Sequence, residues 1–191
     1  SVLHIENSIN ELFLKKGVVA LGWPKIGDLS KLKADRETFK VKVAEAYPDK
    51  KPVAIRNDAG KLYRFIHEMQ TGDIVVYPSR VDRHIHLGKV EGQYKYDPAL
   101  GDGYPHLRAV KWLKAISRTQ FSQGALYEVG AAMSFFRVKT FAEEYLAALK
   151  GEVAAPEPTQ DVTVALVVED IEETTKDFIL MVEGEANEAS E

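Results

Sequence analysis

The chain has 191 residues, 45% of them hydrophobic and 28% charged, with no cysteine and a formal charge of −4. That length allows one well-buried domain and a smaller appendage, and the lack of cysteine excludes a disulfide framework, a thiolate metal site and a thiol nucleophile. No apolar run approaches the ~20 residues of a membrane span, so no membrane partner is expected and a cytoplasmic location is the default.

Residues 8–16, SINELFLKK, place Ile9, Leu12 and Phe13 at helical spacing behind Ser8 as a cap. Residues 18–23, VVALGW, read as a buried strand that breaks at a Gly-Trp-Pro turn. Residues 35–47 form a helical pattern with Phe39, Val43 and Tyr47 on one stripe, stopped by Pro48. A second helix is expected over residues 57–70, where Leu62, Phe65, Ile66 and Met69 share a face and Thr71-Gly72 ends the pattern. Residues 73–77 and 84–94 read as the two strands of a hairpin joined by the turn 78–83. After a Gly/Asp/Pro loop at 97–105, residues 107–116 alternate as a strand, 123–129 suit a short helix and 135–138 another strand. Residues 141–149 form a final amphipathic helix closed by Gly151.

Helices early and antiparallel strands later indicate an α+β domain on a small curled sheet, not a parallel βαβ stack. Charge divides the chain as well. Residues 1–150 carry 24 Lys and Arg against 17 Asp and Glu, a balance of +7, whereas residues 151–191 carry Lys176 alone against 12 acids, a balance of −11. The asymmetry predicts a recognition domain over 1–150 and an acidic linker and tail over 151–191. In the tail, AAPEP reads as a linker, VTVALVV as a lone strand and EDIEETTKDFI as an acidic helix. The start at Ser1 fits a fragment or a processed product.

Candidate chemistry is sparse. His84 and His86 share a strand face, but two ligands do not make a zinc centre, and His4, His67 and His106 show no companion spacing. Gln93-Tyr94-Lys95 loosely matches the Gln-x-Lys end of a magnesium-dependent nuclease motif, with Asp82 or Glu91 as acids, yet it lies inside the hairpin without a clear partner carboxylate. No Gly-x-Ser-x-Gly elbow, Walker A loop or dinucleotide fingerprint occurs. Neither a metal nor another cofactor is expected, and no catalytic residue is assigned. Aromatic, amide and hydroxyl groups at strand ends and in turns stand out instead, where binding groups tend to sit. Trp23, Trp112, Tyr77, Asn57, Ser79, Ser122 and Gln123 are the candidates for contacting a base. Lys25, Arg80, Arg83, Lys111, Lys114 and Arg118 are those for the phosphate backbone.

The stretches GVVALGWPKIGDLS, AIRNDAGKLYRFIHEMQTGDIVVYPSRVDRHIHLGKVEGQYKYDP and HLRAVKWLKAISRTQFSQGALYEVGAAMSFFRV occur in that order. Together with the helix after them, they resemble the N-terminal domain of Mrr-type restriction endonucleases, which is related to the EVE, YTH and PUA nucleic-acid-binding modules. The resemblance implies a PUA-like, EVE-like β-barrel with peripheral helices, acting as a DNA-recognition module for a nuclease domain or subunit of the PD-(D/E)xK class. It also implies a modification-dependent restriction system, in which a modified base is flipped into an aromatic pocket with Trp23 as its principal wall and Trp112 and Tyr77 as partners. The catalytic half of such enzymes is missing, because the chain turns to EGEANEASE after TTKDFI, so activity is not carried over. A sensor of a small nucleotide or other signal that controls a partner nuclease is the alternative.

Overall fold

In the computed structural model, which describes residues 2–100, 103–130, 135–152 and 180–183, the chain divides into two compact units that interleave along the sequence. One comprises Ser8–Gly72 and Val90–Lys111, the other Ser1–Asn7, Asp73–Lys89 and Trp112–Glu191. Both combine strands with helices, so the α+β class read from the sequence holds.

In the first unit, helix α1 (Val2–Lys16) contributes Ile9, Leu12 and Phe13 to the interior. It begins well before Ser8, which therefore lies within the helix instead of capping it. Strand β1 (Val18–Leu21) pairs antiparallel with the first part of β5 (His106–Ser117), Val18 opposite Ala109 and Leu21 opposite His106. The short β4 (Lys95–Tyr96) also lies against β5, with Lys95 opposite Leu107. Helix α2 (Arg36–Ala46) is started by Asp35, whose carboxylate accepts hydrogen bonds from the Thr38 amide at 2.7 Å and the Thr38 hydroxyl at 2.9 Å. Helix α3 (Pro52–Tyr63) starts five residues earlier than its apolar stripe suggests, because Pro52 occupies the first turn, where its missing N–H costs nothing. It continues as a π-helical turn over Arg64–Glu68. Phe39 of α2 meets the Tyr63 ring edge-on at 5.4 Å and that of His67 at 5.5 Å.

Arg108 is the unusual member of this interior, with 1% of its surface exposed. Its Nε donates to the Gly92 carbonyl at 2.9 Å, and one terminal nitrogen donates to the carbonyls of Phe65 at 3.1 Å and Met69 at 2.6 Å. The guanidinium thus takes up carbonyls that the end of the π turn leaves without helical partners.

In the second unit, β2 (Ile74–Pro78) and β3 (His84–Val90) form the expected hairpin, with Ile74 opposite Lys89 and Tyr77 opposite His86. The return strand is shorter than residues 84–94. The amides of Glu91 and Gly92 both donate to the Ala109 carbonyl, and a Cβ at Gly92 would come within 2.9 Å of Ala109, so only glycine fits where the ladder breaks. Strand β7 (Leu180–Glu183) runs antiparallel to β2, and β6 (Phe135–Arg137) lies parallel to β7. The strand expected over 162–168 and the helix over 169–179 lie outside the described residues. Helices α4 (Gln123–Gly130) and α5 (Ala142–Lys150) pack on this sheet through Phe121, Ala125, Val129 and Tyr145 against Val76, Ile85 and Leu87. Each large side chain so buried contributes about 1.5–3 kcal/mol. The Tyr145 hydroxyl donates to the Ala125 carbonyl at 2.7 Å, joining α5 to α4. Gly151, with φ 84, closes α5 as its position predicts.

Replacing Arg108 by Met keeps the apolar stem and strands three buried carbonyls. The Arg108→Met variant is expected to lose about 3 kcal/mol or more of unfolding free energy, seen as a lower urea midpoint at an unchanged slope.

Candidate functional site

Trp23 follows β1 in a left-handed backbone conformation, φ 61 and ψ 54, and enters a single 3-10 turn over Pro24–Ile26. The residue is 8% exposed. The indole N–H donates to Asp58 Oδ2 at 3.0 Å, and Lys50 donates to the same oxygen. Lys61 lies 4.0 Å from the other carboxylate oxygen. The ammonium groups of Lys50 and Lys61 stand 5.9 Å and 5.7 Å from the indole ring centre, within reach of a cation–π attraction. Trp23 is therefore packed among the protein's own side chains and does not wall an open hollow, contrary to the expectation. Asn57, named from the sequence, is exposed beside it. Asp58 is the residue that matters here, and its place on the same helical stripe as Leu62 and Phe65 is the sign that it has a buried partner. Lys25 is exposed, its amide donating to the Tyr47 hydroxyl at 3.2 Å and its ammonium 5.8 Å from that ring.

Beneath the Trp23 turn, the Leu29 amide donates to the Tyr94 hydroxyl at 3.2 Å, and that hydroxyl donates to His106 Nδ1 at 2.8 Å. His106 then carries its proton on Nε2, 3.4 Å from the Trp23 carbonyl. Burial pushes the Tyr94 phenol up to about 12 and the His106 imidazole down to about 4. The ring is neutral and structural at neutral pH.

A second aromatic group forms in the other unit. Tyr77 and His86 face each other across the β2–β3 pair with ring centres 5.9 Å apart, and Trp112 lies 6.1 Å from Tyr77 and 6.2 Å from His86. Rings at these separations touch one another, so no base fits between them. Tyr77 and His86 are buried while Trp112 is half-buried, the most exposed residue of the three. Burial raises the Tyr77 phenol far above its usual value.

The turn beside these rings is organised by Asp82. Its amide donates to the fully buried Ser79 hydroxyl at 3.2 Å, and its Oδ1 accepts from the His84 amide at 2.9 Å. Its Oδ2 accepts from His86 Nε2 at 2.7 Å, and its carbonyl accepts from His84 Nδ1 at 2.7 Å. Burial acts to raise the Asp82 carboxyl, but hydrogen bonds from His84, His86 and Ser79 outweigh it and hold the group below the usual carboxylate range. Among the described residues no three or more His, Asp or Glu side chains gather in a way that could hold a metal.

Two cations lie in this turn, and a third reaches it from the segment after β5. Arg80 is exposed and lies 3.4 Å from Glu6. Arg83 is exposed, with a left-handed φ of 59. Arg118 is half-buried, its backbone amide donating to the Arg83 carbonyl at 3.4 Å and its terminal nitrogen to the Ser79 carbonyl at 3.3 Å. The other expected contacts have local duties or stand apart. Lys114 donates to the Ala148 carbonyl at 3.3 Å, at the C-terminal end of α5. Ser122 caps α4 by accepting from the Ala125 amide, and its own amide and hydroxyl are taken by Glu144. Gln123 and Lys111 are exposed. The structure thus groups Tyr77 with Trp112, and Ser79 with Arg118 beside Arg80 and Arg83, and adds His86, His84 and Asp82, the histidines set aside in the sequence reading as a pair too small for a zinc centre and the aspartate named there only as a possible nuclease acid.

Because His106 has a lower value in the fold than in the unfolded chain, the unfolded chain takes up its proton first on acidification. Its contribution is fully present above about 6.5 and is lost as the pH falls toward 4, a decrease of roughly 3 kcal/mol. Urea unfolding between pH 7 and pH 4 is expected to show this loss in the parent chain and a flatter profile in His106→Gln, whatever the offset between them at pH 7.

No curated protein and no solved structure matches the chain. One family does, over residues 3–138, and it takes in α1 through β6: the chain belongs to the family described as Domain of unknown function (DUF8426).

Proposed function

We propose that this chain is a DNA-binding domain that stacks an unpaired or extruded base on Trp112 and holds the adjoining phosphates with Arg80, Arg83 and Arg118. The observation that carries this reading is Trp112, half-buried against the rings of Tyr77 and His86, on the same unit as three guanidiniums. Stacking on an aromatic ring is worth ~1–3 kcal/mol per base, comparable to the few kcal/mol needed to extrude one from a duplex. Phosphate contacts then supply affinity that does not depend on sequence.

The resemblance of the sequence to the N-terminal domain of Mrr-type endonucleases, and through it to EVE, YTH and PUA modules, supports a role as the recognition part of a modification-dependent restriction system. The chain would bind and a nuclease domain or subunit would cut. The pocket in this reading is centred on Trp112 in place of Trp23. An added methyl buried against the ring contributes about 0.8 kcal/mol, roughly a fourfold preference, so stronger selectivity for a modified base needs hydrogen bonds to its edge.

Gel-shift titrations with single strands and with duplexes carrying unmodified, methylated or hydroxymethylated bases test the assignment. Trp112→Ala should weaken binding about tenfold or more, and Trp23→Phe should leave it unchanged. Arg83→Gln should lower the slope of log affinity against log salt by about one. Equal affinity of Trp112→Ala and the parent for every probe would end the proposal.

A further inference from the structure

The arrangement of Arg80, Arg83 and Arg118 demands more than a contact with a passing phosphodiester. Arg118 Nε is buried and has no hydrogen-bond partner among the described residues. The rest of its head is held in place from the Ser79 carbonyl, and its main chain is tied to Arg83. The Arg118 main chain meets Arg83 and its guanidinium meets the carbonyl of Ser79, next to Arg80, and burial first, then the charges of Arg83 and Arg80, bring that guanidinium below its usual value. Arg83 is kept in this group by a backbone conformation that a side chain rarely adopts. Strain, an unsatisfied buried donor and mutual repulsion in one turn are each unfavourable to the free protein. An anion placed among the three offsets the repulsion between them.

Two acids border the group. Glu6 faces Arg80, and Asp82 has both carboxylate oxygens engaged by His84 and His86. Arg83 has no ion pair among the described residues, and the cluster keeps an excess of positive charge. A phosphodiester offers one negative charge and two free oxygens. A terminal phosphate monoester offers nearly two charges at neutral pH and three oxygens, a match for several planar guanidinium forks.

We propose that this turn is a site for a phosphate monoester attached to the nucleoside that stacks on Trp112. The inference rests on the base-stacking reading above and names its ligand: a 5′-phosphorylated strand end or a free nucleoside monophosphate, which share this chemistry.

Fluorescence anisotropy on the full chain tests it, using two short single strands identical except for a 5′-phosphate or a 5′-hydroxyl. The phosphorylated strand should bind about tenfold more tightly or better, and the difference should vanish in Arg118→Gln and in Arg83→Gly. Glycine relieves the left-handed backbone, so Arg83→Gly should melt at the same temperature as the parent or higher, which separates loss of the site from loss of the fold. Competition with the nucleoside monophosphate at micromolar concentration would assign the free nucleotide as the source, and competition by the strand alone would assign the strand end. Equal binding of the two strands, still weakened by Trp112→Ala, overturns the monoester and leaves the base reading standing. A preference for the phosphate that Trp112→Ala does not alter overturns the base reading alone, and no binding of any probe overturns both.

Discussion

One carboxylate sets the geometry of the hairpin tip. Asp82 is bound through its amide, its carbonyl and both side-chain oxygens within a turn of a few residues, so the chain between β2 and β3 has little freedom left. His86 is held at its Nε2, which fixes the ring that supports Trp112 and faces Tyr77. The same turn forces Arg83 into its left-handed backbone. Local hydrogen bonding of this kind, in which a short acidic side chain captures nearby amides, explains why an Asp serves at this position where a longer acid would not.

The two tryptophans show how far burial is decided away from the local sequence. Both follow apolar strand residues and both have lysines nearby, yet one is buried within an Asp–Lys network and the other is half-buried. The difference comes from residue 58, thirty-five positions along the chain, whose carboxylate both satisfies the indole N–H and draws two ammonium groups over the ring. Lys50 and Lys61 therefore stabilise the fold by covering the aromatic surface that, left open, would look like a binding wall.

Elements whose register is set by their own residues were legible. The apolar stripe of α2, the hairpin around residues 78–83 and the Gly151 stop all follow from short-range chemistry. Boundaries that depend on distant partners were not. The end of β3 turned on how close Gly92 comes to Ala109, whereas the start of α3 rested on a local sign outside the apolar stripe, Pro52 at the first helical turn. The site was legible in part for the same reason. Tyr77, Trp112 and the arginines of the turn could be named as types suited to a base and a phosphate. His86 and Asp82, by contrast, gain their importance from each other and from a cross-strand neighbour.

Strand β7 carries a consequence of its own. Four residues from the acid-rich part of the chain lie between β2 and β6, hydrogen-bonded to both. During synthesis, these two strands emerge from the ribosome long before the segment that separates them, and until it arrives each shows a bare row of amides and carbonyls. A shortened version ending at α5 would remain in that state permanently, with two adhesive borders able to recruit a neighbouring molecule. Strand β7 thus covers the edges of β2 and β6 that face each other across it.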